Sequence, residues 1–377
     1  MLPSCKMVKG RICCLFNYAP HYNFPLWKEM SQHLPVDFFS GDKLPHNESI
    51  RKMRTDLIPG YITEYHAHFI GPFEFSSGWC RLAMHKRYST FIISPNYLAI
   101  NQYVFLVLCR LLGKTVYAWT HGLISSRSSK RLLCISRFYF SFVKGILLYG
   151  DKARNNMIEY GFSPSKLHTI YNSLDYELSY SLRSVVIDDL FYPTEVGNRN
   201  PVLVFIGRLT HVKKLDLILD LVLKLKNRSV TVNCVFIGDG PERSRLEAKA
   251  AFLDGVYFLG PLYDEALIGK YLANASLCIS PGNVGLTAIH CLSFGLPVAT
   301  NDNYDTQMPE HETICDGVTG FFFKEDDIDD ITSKTVAWLQ SKDREDVRNA
   351  CYKVIDTKYN PRNQVRILQS VLSEYYD

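Results

Sequence analysis

The 377-residue chain has no long hydrophobic run. Its longest apolar stretch, Tyr103 to Leu112, is interrupted by Arg110 and falls far short of the roughly 20 residues a membrane-spanning helix needs. The start, MLPSCKMVKGRICCLF, lacks the long apolar region and small-residue cleavage site of a secretory leader, and its apolar run reads as a strand. There is no CxxC pair, and the cysteines number eleven. An odd count in a long chain argues against a disulfide framework or zinc site. Cys13, Cys14, Cys234 and Cys278 lie in strand-like runs, so the reading is of buried, reduced thiols in a cytoplasmic protein. The sequons at Asn47, Asn227 and Asn274 then carry no meaning. GxSxG, GxxxxGK[ST] and HExxH are all missing, which removes serine-hydrolase, P-loop and zincin chemistry. His66-Ala-His68 could pair on a strand face, but no third ligand stands nearby, and no metal site is expected. Finally, residues 81–150 hold ten basic residues and not one acidic residue.

What is present describes a folded protein. The composition is 47% apolar, 13% aromatic and 21% charged, with a net charge of +4. That excludes a disordered chain, and the length suggests two domains or three. The modest net charge hides an asymmetry: residues 1–190 carry 22 Lys and Arg against 13 Asp and Glu, whereas residues 191–377 carry 20 against 25. The first half should therefore face something anionic.

Short apolar runs alternate with longer amphipathic segments, the signature of a parallel α/β fold. In the first half the strands are expected at Ile12–Phe16, Val36–Phe39, Thr90–Ile93, Thr115–Trp119, Gly145–Tyr149 and Leu167–Ile170. Helices are expected at Pro25–His33, Ile100–Leu112, Lys130–Phe142 and Lys152–Tyr160. Residues 41–89 show no assignable pattern. After Asn172 the pattern breaks, and a second series begins at Pro201–Ile206. Its strands are Thr231–Ile237, Val256–Leu259, Leu277–Ser280 and Pro297–Thr300, and its last helix runs through Gln364–Tyr375. The organisation expected is an N-terminal Rossmann-like domain over 1–180, a linker over 181–200, a C-terminal Rossmann-like domain over 201–360, and a helix over 361–377 that packs back on the first domain. Ligands of such sheets bind at the carboxyl ends of the strands, so the active site is expected in a cleft between the domains.

Four stretches carry candidate chemistry. In Val204-Phe-Ile-Gly-Arg-Leu-Thr-His-Val-Lys-Lys-Leu-Asp216 a strand ends at Gly207, and Arg208 and Lys213 flank the turn. They can clamp a diphosphate, each charged hydrogen bond contributing about 1.5–3 kcal/mol, or simply solvate a loop. In Phe236-Ile-Gly-Asp-Gly-Pro-Glu-Arg243, Gly238 and Gly240 make a tight turn that resembles a dinucleotide fingerprint only loosely; it is a structural turn or a backbone surface for a nucleotide. In Ile279-Ser-Pro-Gly-Asn-Val-Gly-Leu-Thr-Ala-Ile-His290 the free N–H groups near Gly285, Leu286 and Thr287 form an anion site at a helix start, unless this is an ordinary turn. In Val116-Tyr-Ala-Trp-Thr-His-Gly122, His121 follows a strand at the carboxyl end of a sheet, as a structural partner or as a group that meets substrate.

The order GRL…K, GDGP, FLG, SPGNVGLTAIHCLSFGLPV, DGVTGFFF resembles the donor domain of family 4 glycosyltransferases of the GT-B fold. The resemblance extends over residues 88–325, with Leu111-Leu-Gly-Lys-Thr-Val-Tyr-Ala-Trp-Thr-His-Gly122 and Ile170-Tyr-Asn-Ser-Leu-Asp175 similar to polysaccharide-locus members. It implies an α/β protein of two Rossmann-like domains and a nucleotide-diphosphate sugar as donor substrate, with no cofactor and no metal. It implies that Arg208 and Lys213 neutralise the diphosphate, that Gly207, Gly238, Gly240 and the Gly285–Thr287 helix start line the donor, and that His121 contacts the transferred sugar. Two family glutamates are absent here. Their positions hold Gly282 and His290, with Asn283 as a neutral substitute for the first and His290 for the second. The glycine-rich first loop of many members is replaced by Asn17-Tyr-Ala-Pro-His-Tyr-Asn23, where His21 either approaches the acceptor or serves the structure.

The resemblance therefore implies a retaining sugar transferase of bacterial surface-polysaccharide synthesis. A nucleotide-sugar 2-epimerase of the same fold and a non-catalytic donor-binding partner are the alternatives. The acceptor expected is a lipid-linked glycan at the inner membrane face. The basic, aromatic segment Lys130-Arg-Leu-Leu-Cys-Ile-Ser-Arg-Phe-Tyr-Phe-Ser-Phe-Val-Lys144 reads as a helix on an anionic bilayer or as a packed helix with solvated cations. No nucleic acid is expected as partner, because the aromatic platform motifs of RNA binders are absent.

Overall fold

The structure, a computed structural model, describes residues 10–43, 50–70, 73–123, 129–341 and 343–373. The first nine residues, the Asn47 sequon and the expected helix end at Tyr375 lie outside the described residues. The chain divides into two compact units, Met1–Asp175 with Pro361–Asp377, and Tyr176–Asn360.

The first unit begins with β1 (Arg11–Phe16), α1 (Phe24–His33), β2 (Val36–Gly41) and β3 (Tyr61–Tyr65). A hairpin, β4 (Ala67–Ile70) and β5 (Phe73–Ser76), precedes α2 (Trp79–Met84), β6 (Tyr88–Ile93), α3 (Ile100–Leu111) and β7 (Thr115–Thr120). Then come α4 (Lys130–Phe140), β8 (Gly145–Leu148), α5 (Asp151–Glu159) and β9 (Leu167–Thr169). Seven parallel strands run in the order β3-β2-β1-β6-β7-β8-β9. Helices cover both faces, so the strands are near-continuous apolar runs. Period-two alternation divides β1 between two cores. Ile12 and Cys14 join Trp27 and Met30 on one face, while Cys13 and Leu15 join Phe105 and Tyr139 on the other. The chain leaves β1 in one direction and returns through β6 in the other, which makes the β1/β6 junction the switch point of this sheet.

The second unit opens with α6 (Tyr176–Leu182) and α7 (Phe191–Val196). It continues with β10 (Val202–Ile206), α8 (Asp216–Asn227), β11 (Asn233–Ile237), α9 (Arg243–Ala250), β12 (Val256–Gly260) and α10 (Glu265–Asn274). It ends with β13 (Leu277–Ser280), α11 (Leu286–Ser293), β14 (Val298–Asn301), β15 (Gly320–Phe323), α12 (Ile328–Ser341) and α13 (Arg344–Thr357). The six parallel strands are ordered β12-β11-β10-β13-β14-β15, with the switch between β10 and β13. The final helix, α14 (Pro361–Ser373), belongs to the first unit. It sets Val365, Leu368, Val371 and Leu372 into the core that holds Trp27 and Met30.

Residues 181–200, expected to be a linker, instead belong to the second unit. Arg183 donates to the Ser293 carbonyl at 3.1 Å and pairs with Asp356 at 2.7 Å. The Tyr192 hydroxyl donates to the Tyr271 carbonyl at 2.7 Å, and Phe191 packs on the Tyr271 ring. Val186, Phe191 and Tyr192 of this stretch are buried in the second unit, while Val185, Ile187 and Leu190 remain exposed. Among the described residues the ten cysteines are free thiols, with Cys13, Cys14, Cys234 and Cys278 buried in strands.

Candidate functional site

In the second unit, the loops at the carboxyl ends of β10, β11 and β13 interlock through glycines. Gly207 has φ +145° and Gly238 φ +135°, a region that side chains avoid. A Cβ on Gly238 would lie 2.0 Å from the Gly207 carbonyl oxygen, and one on Gly240 would lie 2.2 Å from that of Leu209. The N–H groups here are already used. Gly207 donates to Ile237 and Gly238 to Gly260, while Gly240 donates to the Asp239 carboxylate. The GDGP turn thus acts by close backbone packing, which orients the Gly207–Arg208 turn. Arg208 is exposed and pairs with no carboxylate among the described residues.

Gly282 packs in the same way on the turn that carries Lys213. A Cβ there would sit 2.0 Å from the Val212 carbonyl oxygen, and its N–H donates to the Lys213 carbonyl at 3.0 Å. No larger side chain fits at this position. Lys213 Nζ in turn donates to the Asn283 carbonyl at 2.6 Å. Desolvation pushes the Lys213 pKa below its usual value, while the charge of buried Glu310 acts in the opposite sense. Asn283 Oδ1 is buried without a hydrogen-bond partner. Buried Gln307 braces the loop, donating to the carbonyls of Gly282 and Asn301 and accepting from Val284 N–H at 2.7 Å.

α11 starts at Leu286 directly behind this turn, and no side chain caps its first turn. The Thr287 hydroxyl donates to the Ile206 carbonyl at 3.0 Å, tying the helix start to the end of β10. The positive end of the helix and the two cationic turns therefore belong to one loop cluster, suited to a polyanion. His290, deeper in α11, meets Glu265 at the start of α10, with Nε2 to Oε1 at 2.8 Å. Burial raises the Glu265 pKa, but the hydrogen bond and charge of His290 outweigh it and hold the carboxyl below its usual range. A carboxylate therefore stands beside His290, contributed by another helix.

The remaining two candidates lie in the first unit. His121 follows β7, its ring 4.7 Å from that of Tyr149. Gly122, at φ +71°, turns the chain immediately afterwards, in a place where a Cβ would strike Leu148 at 2.7 Å. Desolvation lowers the His121 pKa, favouring the neutral imidazole. His21 begins a short turn after β1, and its Nδ1 and backbone N–H both lie on the Arg51 carbonyl. Among the described residues no group of three or more His, Cys, Asp and Glu is placed to hold a metal ion. Glu265, Gln307 and Glu310 were not singled out from sequence.

Residues 200–341 match the family model described as Glycosyl transferases group 1. That segment is similar to group 1 glycosyltransferase domains. The chain is 28% identical over 167 residues to sulfoquinovosyl transferase SQD2 of Arabidopsis thaliana, a match covering 43% of this chain and 31% of that protein. It is 33% identical over 112 residues to the GDP-mannose-dependent alpha-(1-6)-phosphatidylinositol dimannoside mannosyltransferase of Mycobacterium tuberculosis, covering 29% and 28%. The chain thus spans less than a third of the length of these two relatives. Among solved structures, Anabaena Alr3699/HepE in complex with UDP matches with a TM-score of 0.67 at 14% identity, covering 97% of this chain and 100% of that one. The apo lipopolysaccharide outer core galactosyltransferase WaaB matches at 0.65 and 13%, covering 96% and 99%. The fold of the chain is GT-B, with two Rossmann-like domains.

Proposed function

We propose that this protein transfers a sugar from a nucleotide-diphosphate sugar to a lipid-linked glycan at the inner membrane face, in the synthesis of a bacterial surface polysaccharide. The observation that carries the reading is the Lys213 ammonium, held desolvated beside the uncapped start of α11 within the segment that matches group 1 glycosyltransferases. UDP in the HepE structures supports a nucleoside diphosphate as the leaving group. Charge grows on that diphosphate as the glycosidic bond breaks, and preorganised cations and helix dipoles stabilise it most at that moment. Arg208, Lys213 and the α11 start supply this potential without a step through a metal. Glu265, oriented by His290, accepts hydrogen bonds from the ribose hydroxyls. Neutral His121 orients the transferred sugar. The departing phosphate takes the acceptor proton on the same face, which retains the anomeric configuration.

A donor screen tests the reading. Purified protein is incubated with each nucleotide sugar, with and without membrane extract, and nucleoside diphosphate release is followed. Release that depends on extract supports transfer. Epimerised donor without acceptor would instead make the protein a 2-epimerase. Donor binding with no turnover on any acceptor would make it a non-catalytic partner, a reading that the side-chain-free Gly282 favours.

A further inference from the structure

Two helices of the first unit leave apolar side chains in water. On α3 these are Ile100, Val104, Val107 and Leu111, exposed from 42% at Val107 to 78% at Leu111. They recur every three to four residues and so share one face, while Phe105, Leu106 and Cys109 on the other side are buried. α4 adds Ile135 at 44% and Phe138 at 59%. The Phe138 ring stacks on Tyr103 of α3 at 6.0 Å, which joins the two apolar faces.

The charge around this face has one sign. Arg131 lies one turn before Ile135 and is exposed, as are Arg110 at the end of α3 and Lys144 after α4. Lys166 Nζ donates to the Val143 carbonyl at 3.1 Å, and burial, together with the charges of Lys144 and Arg110, pushes its pKa down. No acidic residue occurs between Glu74 and Asp151. Glu74 itself is buried and accepts hydrogen bonds from Ser76 and Asn96.

We propose that the joined α3/α4 face docks this protein on an anionic lipid bilayer, with the apolar stripe entering the headgroup layer and the cations meeting lipid phosphates. This rests on the lipid-linked acceptor proposed above and names the surface that meets its membrane. An apolar stripe with a cationic border matches an interface that is apolar below and anionic above. A second copy of the chain is a poor occupant, since self-pairing would bring Arg110, Arg131 and Lys144 against their own like.

Vesicle flotation with the full chain tests it, using phosphatidylcholine with about 30 mol% phosphatidylglycerol against phosphatidylcholine alone. Wild type should float with the anionic vesicles and dissociate as salt is raised. Val107→Glu with Leu111→Glu, and separately Arg131→Ala with Lys144→Ala, should each cut the bound fraction at least about tenfold. Both should leave nucleoside diphosphate release with detergent-solubilised acceptor unchanged. Wild-type protein that ignores anionic vesicles, or variants that bind like wild type, would overturn the proposal. So would light scattering that shows a dimer which the glutamate pair dissociates. Flotation without donor turnover would leave the docking face standing and remove the transferase reading, and turnover without flotation would do the reverse.

Discussion

Lys213 donates to a backbone carbonyl in the loop cluster, whereas Lys214, the next residue, is neutralised by Glu325 and Asp326 at 2.8 Å. The left-handed backbone at Lys214, φ 51°, separates the two directions. Lys213→Ala should therefore lower transfer at least about tenfold, or about 1.4 kcal/mol, with donor saturating, and Lys214→Ala should leave turnover near wild type. His121→Ala should cost as much as Lys213→Ala. Its imidazole titrates below the ordinary value of about 6.5. Turnover that needs the neutral ring is therefore full at neutral pH and falls as the pH drops through that depressed pKa, which a pH–kcat profile reads directly. At Gly282 the expected result runs against intuition. Restoring the family carboxylate with Gly282→Glu forces a side chain into the Val212 carbonyl. It should destabilise the protein by at least about 2 kcal/mol in thermal unfolding and recover no activity.

At the scale of elements, the α10–α11 pair carries the next prediction. Glu265→Gln and His290→Ala should each raise the donor KM, and the double variant should do little more than either alone, because the two side chains act as one unit. The depressed Glu265 pKa adds stability that is fully present above the ordinary carboxyl range and is lost as the pH falls through its own value. Acid unfolding of His290→Ala should therefore show a shallower pH dependence there. Most elements were legible in the sequence because parallel strands covered on both faces read as apolar runs, as β1 and β10 do. β3 was not, since Ile62, Thr63 and Glu64 are exposed at the sheet edge and break the run. β15 is only Gly320–Phe323, too short to carry a period. α7 was mistaken for linker because its Tyr192 is satisfied by a carbonyl distant in sequence. The same reason hid half of the site. Arg208, Lys213 and Thr287 sit in turns that a reader can see, whereas Glu265, Gln307 and Glu310 acquire meaning only through partners that the fold brings to them.

For the whole molecule, the asymmetry of charge takes on a location. Part of the cationic excess of the first half, Arg110, Arg131 and Lys144, is carried exposed on or beside α3 and α4, while the second unit, acidic in bulk, reserves Arg208 and Lys213 for the loop cluster. Continuity of chain matters as much as charge. Deleting residues 361–377 removes Val365, Leu368, Val371 and Leu372 from the first unit and uncovers Trp27 and Met30. The truncated chain should lose its first unit to limited proteolysis while residues 176–360, a single contiguous segment, survive as a resistant fragment.

The placement of α14 also orders events on the ribosome. Residues 1–175 emerge first, yet their core stays open until the last helix is made. The later segment, 176–360, has every residue of its own core as soon as Asn360 is out. The unit synthesised first is therefore the one completed last, and nascent chains stalled before Pro361 should present an unsealed apolar surface around Trp27 to chaperones.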